Sequence, residues 1–224
     1  MTKRMIVPLV FGVVGIAILL SLGFWQLRRM EWKQGLLDEI AARIAAPPVA
    51  LPDHPDKARD NYLHVRVSGT LTGEEIHVLS SQKYTGPGYE IIAKLATDQG
   101  PVLVDMGFVT EAQKDTQRPT GAYTVTGNLL WPEATGSFTP EPDIAKNVWF
   151  ARDLPAMAAH LKTPQVLVIA SAFEPANPAL PKPVQLASNI PNRHLEYVIT
   201  WFSLAIVWFG MTLYLLWRIR QKTV

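Results

Sequence analysis

The sequence predicts two transmembrane α-helices, one near each end, flanking a mainly β extracytoplasmic domain: an antiparallel curved sheet or small barrel with one short helix. Three observations carry this. Residues 5–25 and 197–217 are uncharged apolar runs of roughly 20 residues, enough for a helix to cross a hydrocarbon core about 30 Å thick. Between them the pattern changes to alternating apolar and polar residues, cut at short intervals by turn signals. The enclosed segment has the length of one ordinary domain.

The organisation expected from the residues is a stub at 1–4, a first span at 5–25, a helical stalk at 26–46, the β domain at 47–196, a second span at 197–217 and a tail at 218–224. With two crossings, both flanks are expected on one side of the membrane and the domain on the other. Basic residues stand on both sides of the first span (Lys3 and Arg4, then Arg28, Arg29 and Lys33), so charge counting there is close to balanced. The basic tail, with Arg218, Arg220 and Lys222, puts the termini in the cytoplasm, and a domain this long translocates whatever its charge. The first run exceeds the usual signal-peptide core of about 7–15 residues, and 21–25 offers no small-x-small cleavage site before bulky aromatics. An uncleaved anchor is therefore expected.

Net charge is +2 and no basic block or basic helix recurs, so a nucleic-acid partner is not indicated; membrane lipid is. The chain contains no cysteine, which excludes disulfides, zinc–thiolate sites, iron–sulfur clusters and covalent haem attachment through Cys-x-x-Cys-His. Mean hydropathy is only +0.10, because the polar middle dilutes the apolar ends.

Leu22, Trp25, Arg29, Trp32 and Leu36 follow alternating three- and four-residue steps, so the first helix is expected to continue past the span until Pro47-Pro48. Arg29 then lies between Trp25 and Trp32, placed for stacking or for an anionic head group. Strands are expected where Leu63, Val65 and Val67 alternate with polar residues, then at 75–80 after a Thr72-Gly73 turn, and at 89–95, 101–109, 123–131 and 165–173. Asp153 is a plausible N-cap for a short helix continuing over 156–161. The five prolines between 175 and 191 predict an extended strap leading to the second span.

His194 is the residue with most chemical promise. It heads the second helix in the string Asn192-Arg193-His194-Leu195-Glu196-Tyr197, with Tyr197, Trp201 and Trp208 at steps of three, seven and fourteen. One helix face thus presents an imidazole above aromatic rings, and neutral imidazole is a common ligand of haem iron. Arg193, Arg28 and Arg29 lie near the same membrane level and suit propionates. The same string also fits an interfacial histidine beside an aromatic belt. His54, His64, His77 and His160 read as solvated surface histidines without ligand-spaced partners, so a dedicated metal site is not expected. No nucleophile elbow, P-loop or dinucleotide fingerprint occurs, so the chain does not read as an enzyme.

Gly23-Phe24-Trp25-Gln26, followed by Arg29, Trp32 and Lys33, resembles the opening signature of the surfeit locus protein 1 family, assembly factors of cytochrome c oxidase. Asn192, His194-Leu195, Tyr197, Thr200-Trp201-Phe202 and Leu204-Ala205 resemble its closing signature. Gly88-Tyr89, Val102-Leu103-Val104 with Gly107, and Trp149 followed by Asp153 fit its middle blocks in order. One strand departs: where the family usually reads Asn-Arg-Gly-Trp, this chain has Asp105-Met106-Gly107-Phe108, losing a cation and an indole.

The resemblance implies a factor in the cell inner membrane, multi-pass, with its domain in the periplasm. It implies transient handling of haem a, supplied by haem A synthase and passed to the oxidase catalytic subunit. His194 takes the position of the proposed axial ligand to haem iron. Trp201 becomes a pocket wall; Tyr197 and Arg193, from the helix-head string, are further cofactor-binding candidates, and Arg29 and Trp25 are candidates only by their level in the membrane. Two other functions stay open: a scaffold for oxidase subunits that binds no haem, and a membrane-bound enzyme acting on haem or lipid.

Overall fold

The computed structural model describes residues 3–133, 135–136, 138–184, 186 and 194–221. The chain divides into two compact units, Met1–Glu39 with Ser188–Val224, and Ile40–Ala187.

The first unit is a helix pair. Helix α1, Lys3–Ala45, runs unbroken for 43 residues, and its last turn belongs to the second unit. The other helix of the pair is the last element of the chain, His194–Gln221. Both are long and apolar enough to cross a membrane, with mean hydropathy of 2.7 and 1.8 over their most apolar 18 residues. Most of their large apolar side chains are exposed, Val7, Phe11 and Ile18 on one and Ile206, Phe209 and Tyr214 on the other, as suits helices whose solvent is lipid.

The two helices are antiparallel and meet where α1 carries glycine. A Cβ on Gly12 would lie 2.2 Å from Thr212 Cγ2, one on Gly15 would lie 2.4 Å from Trp208 Nε1, and one on Gly23 would lie 3.0 Å from Phe202. Small residues let membrane helices approach closely and gain dispersion contact, which replaces the hydrophobic drive absent in lipid. Phe24 and Phe202 add an edge-to-face ring pair at 5.4 Å.

The second unit is a small barrel. After β1 (Val49–Ala50) comes the single turn α2 (Lys57–Asp60), whose first amides donate to the Asp56 side chain. The strands β2 (His64–Gln82), β3 (Gly86–Thr97), β4 (Gly100–Thr110) and β5 (Gly121–Leu129) follow. Then come helix α3 (Leu154–Leu161) and strand β6 (Leu167–Glu174). The chain's final helix, His194–Gln221, is α4. Strands pair in the order β2-β3-β4-β6-β5, and β5 returns to β2, so the sheet closes on itself and loses its free edges.

Closure depends on β2. The Thr72-Gly73 turn expected between two strands is a bulge within one long strand, with Gly73 at φ +84°. Residues 64–71 pair with β5, and residues 70–71 and 75–82 pair with β3, so one strand bends around the barrel. A second bulge at Met106 and Gly107 bends β4. There Gly107 has φ +118°, and a Cβ would lie 2.1 Å from Lys182 O in the proline-rich strap. The sheet is mixed rather than wholly antiparallel: β1 runs parallel to β2, and β4 to β6. Alternation reports which face of a strand is buried, not the direction of its neighbour.

Two apolar layers follow from the closure. Val65, Val67, Ile91, Leu95, Val104, Val125 and Val168 fill the interior. Ile76, Val78, Ile92, Leu103 and Ile169 point outward and are covered by α3 and Trp149. Asp153 accepts the Ala156 amide at 3.1 Å as the N-cap of α3, and Lys162 ends the helix in the left-handed conformation. Full burial of each of these isoleucine or leucine side chains contributes about 1.5–3 kcal/mol.

Candidate functional site

On α4, His194, Val198, Trp201, Phe202, Ala205, Trp208 and Thr212 fall within one stripe at 3.6 residues per turn. Val198 and Ala205 are buried and the others half-buried, so this is the face turned toward α1. On α1 the matching stripe is Gly12, Gly15, Gly23 and Gln26. Gln26 lies just beyond the Gly23 contact, where the backbones have already been brought close.

There the imidazole finds its partner: His194 Nδ1 lies 2.9 Å from Gln26 Oε1. An amide oxygen only accepts, so Nδ1 is the donor of this bond; in the neutral ring Nε2 then keeps its lone pair. Among the described residues Nε2 has no hydrogen-bond partner, and no group of three or more His, Cys, Asp or Glu side chains could hold a metal ion. Trp201 shares the stripe, two turns further along α4.

Tyr197 and Trp25 are exposed on their helices, and Arg29 stacks its guanidinium 4.4 Å from the centre of the Trp32 ring. Arg193 lies outside the described residues. Sequence reasoning assigned no role to Gln26; the available signal was a polar side chain at the end of an apolar span, in need of a partner.

The barrel holds a cavity of about 840 Å³ beside the β2 bulge, touching the interior side chains Leu71, Ala93 and Met106. His77 is buried there rather than solvated as expected, donating from Nε2 to Glu75 Oε1 at 2.9 Å. Arg118 Nη1 donates to the same carboxylate oxygen, and Lys94 pairs with Glu74 at 2.8 Å. His64 is half-buried with Nδ1 2.6 Å from Ala46 O, again not a freely solvated ring. The carboxyls pushed above the usual range lie elsewhere. Asp105 and Glu90 are raised chiefly by burial, opposed by Arg152, which bridges them at 2.5 and 2.8 Å on the outer face of the barrel. Neither lines the cavity. Of its charged groups, Glu75 is shared by His77 and Arg118, and Glu74 is paired with Lys94.

A closed mixed barrel joined to two lipid-length helices, with an imidazole at the head of the second, defines a membrane protein of two-helix type with a β domain. The comparisons agree along nearly the whole chain. The family model described as the SURF1 family matches residues 13–206, and the chain belongs to that family. It is similar to the "SURF1-like protein" of Rickettsia prowazekii (strain Madrid E), 32% identical over 215 residues, spanning 90% of this chain and 85% of that one. It is also similar to the "SURF1-like protein" of Drosophila melanogaster, 32% identical over 228 residues (91% and 76%). "Surfeit locus protein 1" of Homo sapiens is 28% identical over 210 residues (83% and 69%).

Proposed function

We propose that this protein assists biogenesis of cytochrome c oxidase by holding haem a transiently and delivering it to the catalytic subunit. On this reading haem A synthase supplies the cargo. The protein resides in the cell inner membrane, with its barrel in the periplasm and both termini cytoplasmic. The observation that carries the reading is His194: a half-buried imidazole on the inner stripe of a lipid-length helix, engaged among the described residues through Nδ1. The donor set fits haem iron, since a neutral nitrogen with a free lone pair is the form in which histidine ligates. Surroundings of Trp201, Phe202 and Val198 are apolar enough to shield a macrocycle. Haem as cargo brings the iron and the hydrophobic ring; the protein supplies one nitrogen, an apolar face and a fixed orientation. A single axial histidine gives a modest grip, which favours release.

The test is co-production with haem A synthase, purification of the full chain, and optical spectra of wild type and His194→Ala. The expected result is at least about a tenfold fall in bound haem a, since the variant removes the iron ligand itself. Equal content in both would remove the assignment. The scaffold reading draws on the exposed Trp25 and Trp32 of α1, which suit packing against a subunit helix. It expects His194→Ala to leave oxidase yield intact while Trp25→Ala or Trp32→Ala lowers it.

A further inference from the structure

The bond between His194 and Gln26 joins residues 168 positions apart, across two helices whose approach is fixed by glycines. On α1, Gln26 follows Gly23 by three residues and so points to the same neighbour one turn later. On α4, His194 precedes the buried Val198 by one turn. Neither side chain reaches the other unless the helices pack as they do, so the imidazole is oriented by the helix pair. The amide oxygen has two further effects. It selects the tautomer with the proton on Nδ1, and it draws that proton away from the ring, raising electron density at Nε2.

We propose that Gln26 is a positioning residue for haem: its side-chain oxygen holds the His194 ring with Nε2 presented as a neutral, electron-rich donor to the iron. This rests on the reading of His194 as the haem ligand. An electron-rich nitrogen favours ferric over ferrous iron, so the bond tightens retention of oxidised haem and lowers its potential. The glutamine amide does this without a formal charge. A carboxylate in its place would pull harder on the proton and make Nε2 richer still.

The experiment uses the full chain with haem a provided by co-produced haem A synthase, in wild type, His194→Ala, Gln26→Leu and Gln26→Glu forms. Bound haem a, the optical spectrum and the midpoint potential are measured for each. Gln26→Leu keeps bulk but cannot accept, and is expected to lower ferric haem affinity about 10–100-fold. Its potential should rise; a tenfold loss selective for the ferric form corresponds to about 59 mV. Gln26→Glu is expected to retain haem, with a potential below wild type. These opposite shifts would not arise from a residue that merely packs the helices. Wild-type occupancy and potential in Gln26→Leu would overturn the inference while leaving His194 as ligand. Equal loss in both Gln26 variants would also overturn it, because a carboxylate accepts from Nδ1 as readily as an amide oxygen. Equal haem in wild type and His194→Ala would remove the parent reading instead.

Discussion

Asp105 shows how one buried carboxylate shapes the response of the barrel to pH. It is 1% exposed, accepts the Gly107 amide at 3.0 Å and is bridged to Glu90 by Arg152. Burial raises both carboxyls and Arg152 partly offsets this; the charge of Asp105 raises Glu90 further. Both groups hold a proton more tightly folded than unfolded, so their ionisation costs stability above the raised folded value. That cost is relieved as pH falls from there toward the ordinary carboxylate range. Asp60 has the opposite sign: the Arg59 hydrogen bond holds it low, so its contribution exists above the ordinary value and is lost as pH falls through the folded one. Asp105→Asn is expected to shrink the gain on mild acidification and to bring the Glu90 carboxyl down. Thermal unfolding across pH and NMR titration of Glu90 measure the two effects. None of this was legible from Asp105 in its string, because the arginine that meets it lies 47 residues away. His77 teaches a related lesson. Alternation correctly sets it opposite Ile76 and Val78, but those two face α3 and His77 faces the barrel end; both sides of the strand are covered.

At the scale of elements, the helix pair depends on small residues at defined positions. Gly12→Leu would force a side chain into Thr212, whereas a Cβ at Gly210 meets nothing within 4 Å. Gly12→Leu is expected to cost about 1–3 kcal/mol or more through overpacking, while Gly210→Leu is tolerated. The helical far-UV signal during unfolding in detergent separates the two, and no difference between them would contradict the packing. The two apolar runs were legible because a bilayer imposes a length and excludes charge. Which glycines lie at the contact was not, because composition does not reveal which face of a uniformly apolar helix meets its partner. The strands at 89–95, 101–109 and 123–131 were legible as short strand-like runs set off by turn signals. The short β1 and α2 were missed, since two and four residues among prolines and charges carry no period.

For the whole molecule, barrel closure gathers charges from distant segments. Glu75 accepts from Arg118, 43 residues on, and its backbone carbonyl accepts from Asn147 Nδ2 at 3.0 Å, 72 residues on. Arg118 also donates to the carbonyls of Gln113 and Lys114 at 3.0 and 3.1 Å. Arg118→Ala would leave the half-buried Glu75 carboxylate with His77 as its remaining partner among the described residues and is expected to cost about 1–3 kcal/mol, whereas Arg118→Ala with Glu75→Gln should cost less. Denaturant unfolding of wild type, Arg118→Ala, Glu75→Gln and the double variant measures this; losses that simply add would mean that the pair is not coupled.

The amino-acid order alone determined the two lipid-length helices, a β domain between them, the absence of cysteine thiols and the place of His194 at a helix head. These are local properties: length, period and residue type are written in consecutive positions. Tertiary structure decided that one bent strand closes the sheet, that His77 turns inward, and that Gln26 meets the imidazole 168 residues away. Those outcomes depend on which surfaces come together once apolar area is buried and polar groups must find partners, and no window of sequence contains both halves of such a contact.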